Sequence, residues 1–230
     1  LPFVLFTNGT TRTPRQYARM LRALGFDLTD ANIMTPASSA VEVFRRHGHR
    51  RVLALGGAGL KQPLQQAGIE GAARGDPAAV DAVLVGWFRE FTMDDLEAAV
   101  QAVWNGARLY SCSQSLFFAT AQGRALGTSR AITAMIRDLT GCHVRIVGKP
   151  SQDALNSAAQ RLGVARRSLA VIGDDPGLEV AMALRGQCLA IGVHTGLSDR
   201  AVFSALPRDQ RPHLAVSGIA ELLRLCQNLR

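Results

Sequence analysis

Three short loops in this 230-residue chain carry residue types that handle phosphate. Thr7-Asn8-Gly9-Thr10 offers a hydroxyl, an amide and a flexible glycine, able to wrap phosphate oxygens with side-chain and backbone donors. Gly148-Lys149-Pro150-Ser151 puts an ammonium group at a helix entrance. Gly173-Asp174-Asp175-Pro176-Gly177-Leu178-Glu179 presents three carboxylates, apt for a hard cation such as Mg²⁺. Each has a plainer reading on its own: a turn, a solvated lysine, and a turn that caps a helix. In this order, each behind an apolar run, the set is hard to obtain by chance.

The elements that must position these loops are short apolar strands alternating with amphipathic helices. Pro2–Phe6, Val52–Leu55, Ala82–Val85, Ala107–Tyr110, Val144–Val147, Leu169–Ile172 and Leu189–Gly192 read as strands. Helices are expected at Asp94–Trp104, Ser129–Leu139, Gln152–Leu162 and Ile219–Leu229. Thr13-Pro14-Arg15-Gln16 is a capping box with proline at the first helical position, and Gly25 closes the helix it opens. This alternation predicts an α/β parallel sheet with functional loops at the carboxyl ends of its strands. Gly56-Gly57-Ala58-Gly59 lacks the third glycine of a dinucleotide fingerprint, Gln62 standing there, and reads as a turn.

Composition narrows the classes further. Apolar residues make up 47% and charged ones 19%, too hydrophobic for disorder. No run approaches the roughly 18 apolar residues of a membrane span. The formal charge of +8 raises nucleic acid as a partner, but 24 of the 26 basic residues are arginine and only 6% of the chain is aromatic. The dense cluster Arg45–Arg51 reads as a solvated helix end. The four cysteines have no metal or redox spacing, with Cys188 and Cys226 expected as core fillers and a reduced, cytoplasmic compartment as the default.

Phe6-Thr7-Asn8-Gly9, Val147-Gly148-Lys149-Pro150-Ser151 and Val171-Ile172-Gly173-Asp174-Asp175 resemble motifs two, three and four of the haloacid dehalogenase (HAD) superfamily. Thr35-Pro36-Ala37-Ser38-Ser39-Ala40, Leu55–Leu60, Ala82–Gly86 and Gly192-Val193-His194-Thr195-Gly196 match its NagD-like, p-nitrophenylphosphatase-like branch. The resemblance implies a Rossmann-like core in two parts, residues 1–51 and 143–230, with an α/β cap inserted at 52–142. It implies Mg²⁺-dependent hydrolysis of a small phosphomonoester through a phospho-aspartyl intermediate. Thr7, Asn8 and Gly9 would then bind the phosphoryl group, Lys149 would neutralise it, and Asp174 would hold Mg²⁺ with Asp175 or Glu179. Thr7, Asn8, Lys149 and Asp174 are the expected catalytic set.

The resemblance also exposes departures. The family's nucleophilic Asp-x-Asp is expected upstream of Leu1, so the chain as given is expected to be inactive alone. Glu179 stands where the fourth motif usually ends in aspartate. Within the expected cap, Trp87, Phe88, Ser113 and Ser115 stand where the branch usually has other residues and, with Phe117, are the candidate selectors of the leaving group, packing of the cap's own sheet or a dimer seam being the plainer role of the aromatic ones. A HAD-like binding protein without catalysis is the alternative reading. The expected partner is a small phosphorylated metabolite, with no nucleic acid and no membrane, and a homodimer is left open.

Overall fold

The computed structural model describes residues 1–76, 79–120 and 123–228. The last residue of the expected helix Ile219–Leu229 lies outside them. The chain divides into two compact units, Leu1–Gly148 and Lys149–Arg230.

The first unit runs β1 (Leu5–Phe6), α1 (Pro14–Ala23), β2 (Ile33–Met34), α2 (Pro36–His47), β3 (Arg51–Leu55), α3 (Ala58–Gln66), β4 (Glu70–Gly71) and β5 (Ala82–Val85). It continues through α4 (Met93–Trp104), β6 (Arg108–Ser111), β7 (Phe117–Thr120), β8 (Gly123–Leu126), α5 (Thr128–Thr140) and β9 (Val144–Ile146). Five parallel strands form one sheet in the order β4-β3-β5-β6-β9, while β1 pairs with β2 and β7 with β8. The strand Val144–Ile146, expected with the segment 143–230, therefore lies beside β6, pairing Leu109 with Val144.

Both faces of the five-stranded sheet are buried, which explains why its strands read as continuous apolar runs. Alternation sends Val52, Ala54 and Leu84 to one face, where Phe44 of α2 and Leu60 and Leu64 of α3 cover them. Leu53, Leu55, Val83 and Val85 go to the other, under Leu96 and Val100 of α4 and Ile132 and Ile136 of α5. A fully buried Leu or Val here contributes roughly 1.5–3 kcal/mol by leaving water. The helices start where their sequences direct. Thr13 Oγ1 accepts from the Gln16 N–H at 3.2 Å while Gln16 Oε1 accepts from the Thr13 N–H at 2.8 Å. Gly25, with φ of 89°, turns the chain out of α1 in the left-handed region that other residues avoid.

The second unit comprises α6 (Gln152–Leu162), β10 (Ala170–Gly173), α7 (Ala181–Arg185), β11 (Leu189–Val193), α8 (Arg200–Ala205), β12 (Leu214–Val216) and α9 (Ile219–Gln227). Its three strands are parallel in chain order. Ile191, Val193 and Val216 form its sheet-side core with Leu222 of α9. Cys188 is buried as expected, whereas Cys226 is exposed. Cys226 lies on α9, a helix none of whose residues is fully buried.

Arg45, Arg46 and His47 form the basic last turn of α2, as expected of a helix end, while Arg51 beyond it is paired. Arg51 forms ion pairs with Glu70 at 3.1 Å and, more closely, with Asp76, and the Arg50 and Arg51 backbone N–H groups donate to Asp81 at 2.7 and 2.8 Å. No helix is long and apolar enough to cross a membrane among the described residues.

Candidate functional site

In the first unit the loop after β1 lies over the carboxyl ends of the five-stranded sheet. Thr7 Oγ1 accepts from the Gly9 N–H at 3.0 Å, which curls the loop, and the Thr7 N–H donates to Met34 O at 3.1 Å. Gly148, just past β9, approaches Asn8 so closely that a Cβ there would stand 2.6 Å from Asn8 Oδ1. Any side chain at position 148 would thus displace the loop's amide. Thr10 is the anchor that sequence reasoning missed. It is buried, and its Oγ1 accepts from the Trp87 N–H at 2.8 Å. No motif singles it out; only its place between the loop and the end of β5 does.

β5 and β6 are parallel and in register, so Trp87 and Ser113 leave the sheet at the same end. Trp87 packs edge-on to Phe118 at 6.2 Å, and its Nε1 is buried without a hydrogen-bond partner among the described residues. Ser113 Oγ donates to Ser115 Oγ at 3.1 Å. Phe117 is partly exposed, with the Arg124 guanidinium 4.3 Å over its ring. Phe88 differs from the others: it packs into the sheet's second core, and its N–H donates to Thr128 Oγ1 at 3.1 Å.

In the second unit, Lys149 precedes the capped start of α6, where Ser151 Oγ accepts from the Asp153 and Ala154 N–H groups at 3.1 and 3.4 Å. Lys149 Nζ pairs closely with Glu179 Oε1, both side chains nearly withdrawn from solvent at 13% and 9% exposure. The other Glu179 oxygen accepts from the Asp175 N–H at 3.3 Å. Asp174 leaves the carboxyl end of β10, and its Oδ2 accepts from the Leu197 N–H at 2.7 Å. Gly196 makes that contact possible, since a Cβ there would collide with the same oxygen. The pattern ending in Gly196 was visible in the sequence; its hold on Asp174 was not.

Three carboxylates therefore do three different things. Asp175 is a cap, its Oδ1 accepting from the Gly177 N–H at 2.8 Å, so the plainer reading of a turn applies to it. Glu179 is the counter-ion of Lys149, because an ammonium group this far from water needs an opposite charge. Only Asp174 presents its carboxylate at a strand end. No group of three His, Cys, Asp or Glu side chains is placed to hold a metal ion among the described residues. Asp174, Asp175 and Glu179 are thus not gathered as one cluster, whereas Mg²⁺ itself takes only one or two protein carboxylates and completes its shell with water and substrate phosphate.

Two family models match the sequence: haloacid dehalogenase-like hydrolase over residues 1–70, and HAD-hydrolase-like over residues 146–222. The chain belongs to the haloacid dehalogenase-like hydrolases, in the branch of the NagD-like p-nitrophenylphosphatases. It is 28% identical over 199 residues to the acid sugar phosphatase of Staphylococcus epidermidis, covering 86% of this chain and 75% of that protein. A thermostable NPPase double mutant from Geobacillus stearothermophilus superposes with a TM-score of 0.84 at 28% identity, covering 94% of this chain and 83% of that one. The glycerol phosphate phosphatase of Mycobacterium tuberculosis, in complex with calcium, gives 0.84 at 25% identity over 93% of this chain and 63% of that one. The same phosphatase has also been crystallised with magnesium.

Proposed function

We propose that this chain is the greater part of a phosphatase that hydrolyses a small phosphomonoester through a phospho-aspartyl intermediate. The observation that carries the reading is the Lys149–Glu179 pair, in the same unit as an Asp174 carboxylate fixed by the Leu197 N–H. A lysine held by one carboxylate is an ordered positive charge, and phosphoryl transfer depends on charge balance and positioning. In this reading Thr7, Asn8 and Gly9 bind phosphoryl oxygens and Lys149 neutralises their charge.

The nucleophile is a carboxylate that the 230 residues do not provide, since no Asp-x-Asp follows an apolar strand here. Its oxygen attacks phosphorus, the ester oxygen leaves with a proton, and water then releases inorganic phosphate and regenerates the carboxylate. The relative crystallised with calcium and magnesium supports a divalent cation, Mg²⁺ by expectation, with Asp174 as this chain's contribution to it. Residues 52–142 act as the cap that selects the leaving group. Trp87, its buried Nε1 without a hydrogen-bond partner among the described residues, is the foremost selector, aided by Ser113, Ser115 and Phe117. The relatives' sugar and glycerol phosphates support a small polar substrate.

The test is hydrolysis of p-nitrophenyl phosphate with Mg²⁺ by the natural full-length polypeptide. Turnover well above that of a Lys149→Ala control is expected. Equal rates in the two proteins would discard the phosphatase reading.

A further inference from the structure

The second unit holds a cavity of about 590 Å³ lined by none of the residues assigned above. That volume lies within the range of small-ligand sites, roughly 300–1,000 Å³. It opens where His194 and Ser217 leave the carboxyl ends of β11 and β12, the end of a parallel sheet at which ligands collect. The His194 ring packs against Phe203 of α8 at 5.7 Å, and its Nε2 is buried with no hydrogen-bond partner among the described residues. A buried ring nitrogen left unpaired is costly unless something supplies the missing bond.

The charge around the cavity selects the partner. Arg200 and Arg211 stand on its wall, and Ser204 adds a hydroxyl. The one carboxylate there, Glu221, is already engaged: its Oε2 accepts from the Ser217 N–H at 2.7 Å and the Ser217 hydroxyl at 2.6 Å. The surplus of guanidinium groups over carboxylates favours an anion, and planar guanidinium forks suit oxyanions.

We propose that this cavity binds the oxyanion group of a small molecule, His194 Nε2 donating from the floor and Arg200 and Arg211 clasping it from the wall. The recognised chemistry is a phosphate or a carboxylate group. Such a site lies outside the residues of the phosphatase reading and stands whether or not that reading holds.

The test follows the His194 ring nitrogens by NMR while inorganic phosphate, and separately acetate, is added to the full chain. A saturable shift is expected with one or both anions, half-complete on the order of 1 mM. Saturation by phosphate alone assigns a phosphate site, and saturation by acetate a carboxylate one. The exposed double variant Arg200→Gln/Arg211→Gln is expected to weaken binding about tenfold or more while its amide spectrum stays folded. His194→Gln, which keeps a donor, is expected to bind when followed through backbone amides, whereas His194→Phe is not. No saturable shift with either anion, or undiminished binding in the folded double-arginine variant, overturns the proposal.

Discussion

Strands β5 and β10 are both four residues long and both parallel to their neighbours, yet they live in different surroundings. Every residue of β5 is buried, and it has a partner strand on each side. β10 pairs with β11 alone among the described residues, and its Ile172 is 42% exposed. Stability is thus concentrated in the sheet that contains β5. The acidic chemistry sits at the end of β10, where Asp174, Asp175 and Glu179 are held by individual hydrogen bonds and one ion pair. Packing supports the first region, and charge organises the second.

Core truncation gives the widest separation between the two. Leu84→Ala in β5 is expected to cost about 4 kcal/mol, because the site is sealed on all sides. Ile172→Ala in β10 should cost about 1 kcal/mol, its side chain being 42% exposed already. Urea unfolding of the two variants measures both, and equal losses would erase the contrast.

Next in size is the ion pair. Glu179→Gln leaves the Lys149 ammonium without its counter-charge and is expected to destabilise by about 3 kcal/mol. Replacing both partners, as Lys149→Met with Glu179→Leu, should restore most of that loss in the same unfolding experiment. A single variant as stable as the parent would show that the pair organises nothing.

A smaller effect comes from helix capping in the first unit. Thr13→Ala removes the acceptor for the Gln16 N–H and is expected to cost about 1 kcal/mol. Thr13→Asn, which preserves the acceptor, should cost little, both read by urea unfolding.

The smallest is a pH effect. Burial holds His49 below the ordinary histidine value, despite the opposing pull of Asp81. In the unfolded chain it titrates near 6.5, so the unfolded state takes up the proton first as pH falls. Its contribution to stability is therefore whole above about pH 6.5 and is lost as pH falls through the lower folded value. His49→Gln should flatten the slope of stability against pH in this range, and a slope unchanged by that substitution would contradict the assignment.

Much of the scaffold was legible because a strand buried on both faces must be apolar throughout. Ala82–Val85 and the helix Gln152–Leu162 match their expected limits, and the capping box at Thr13 is formed as read. Among the elements that escaped, β2 and β4 have two residues each, too few to show a period, and the nine-residue α3 carries Pro63 inside it, a residue that reads as a helix breaker. Hairpin β7–β8 escaped because its strands are mostly exposed. At the site, Lys149 and Asp174 were legible because each follows an apolar strand. The division of labour between Asp175 and Glu179 was not, since it depends on which carboxylate the turn after β10 points at Lys149. Spacing within a seven-residue loop carries no such direction.

That division of labour is also where the account is most exposed. Turnover of p-nitrophenyl phosphate by the natural full-length polypeptide should fall by about a thousandfold in Asp174→Asn, which loses the anionic oxygen that would hold the cation offsetting charge on the phosphoryl group. Asp175→Asn should retain nearly full activity, because asparagine caps as well as aspartate. Comparable loss in both variants, or full activity in Asp174→Asn, would contradict the assignment of the chemistry to Asp174 and of the turn to Asp175.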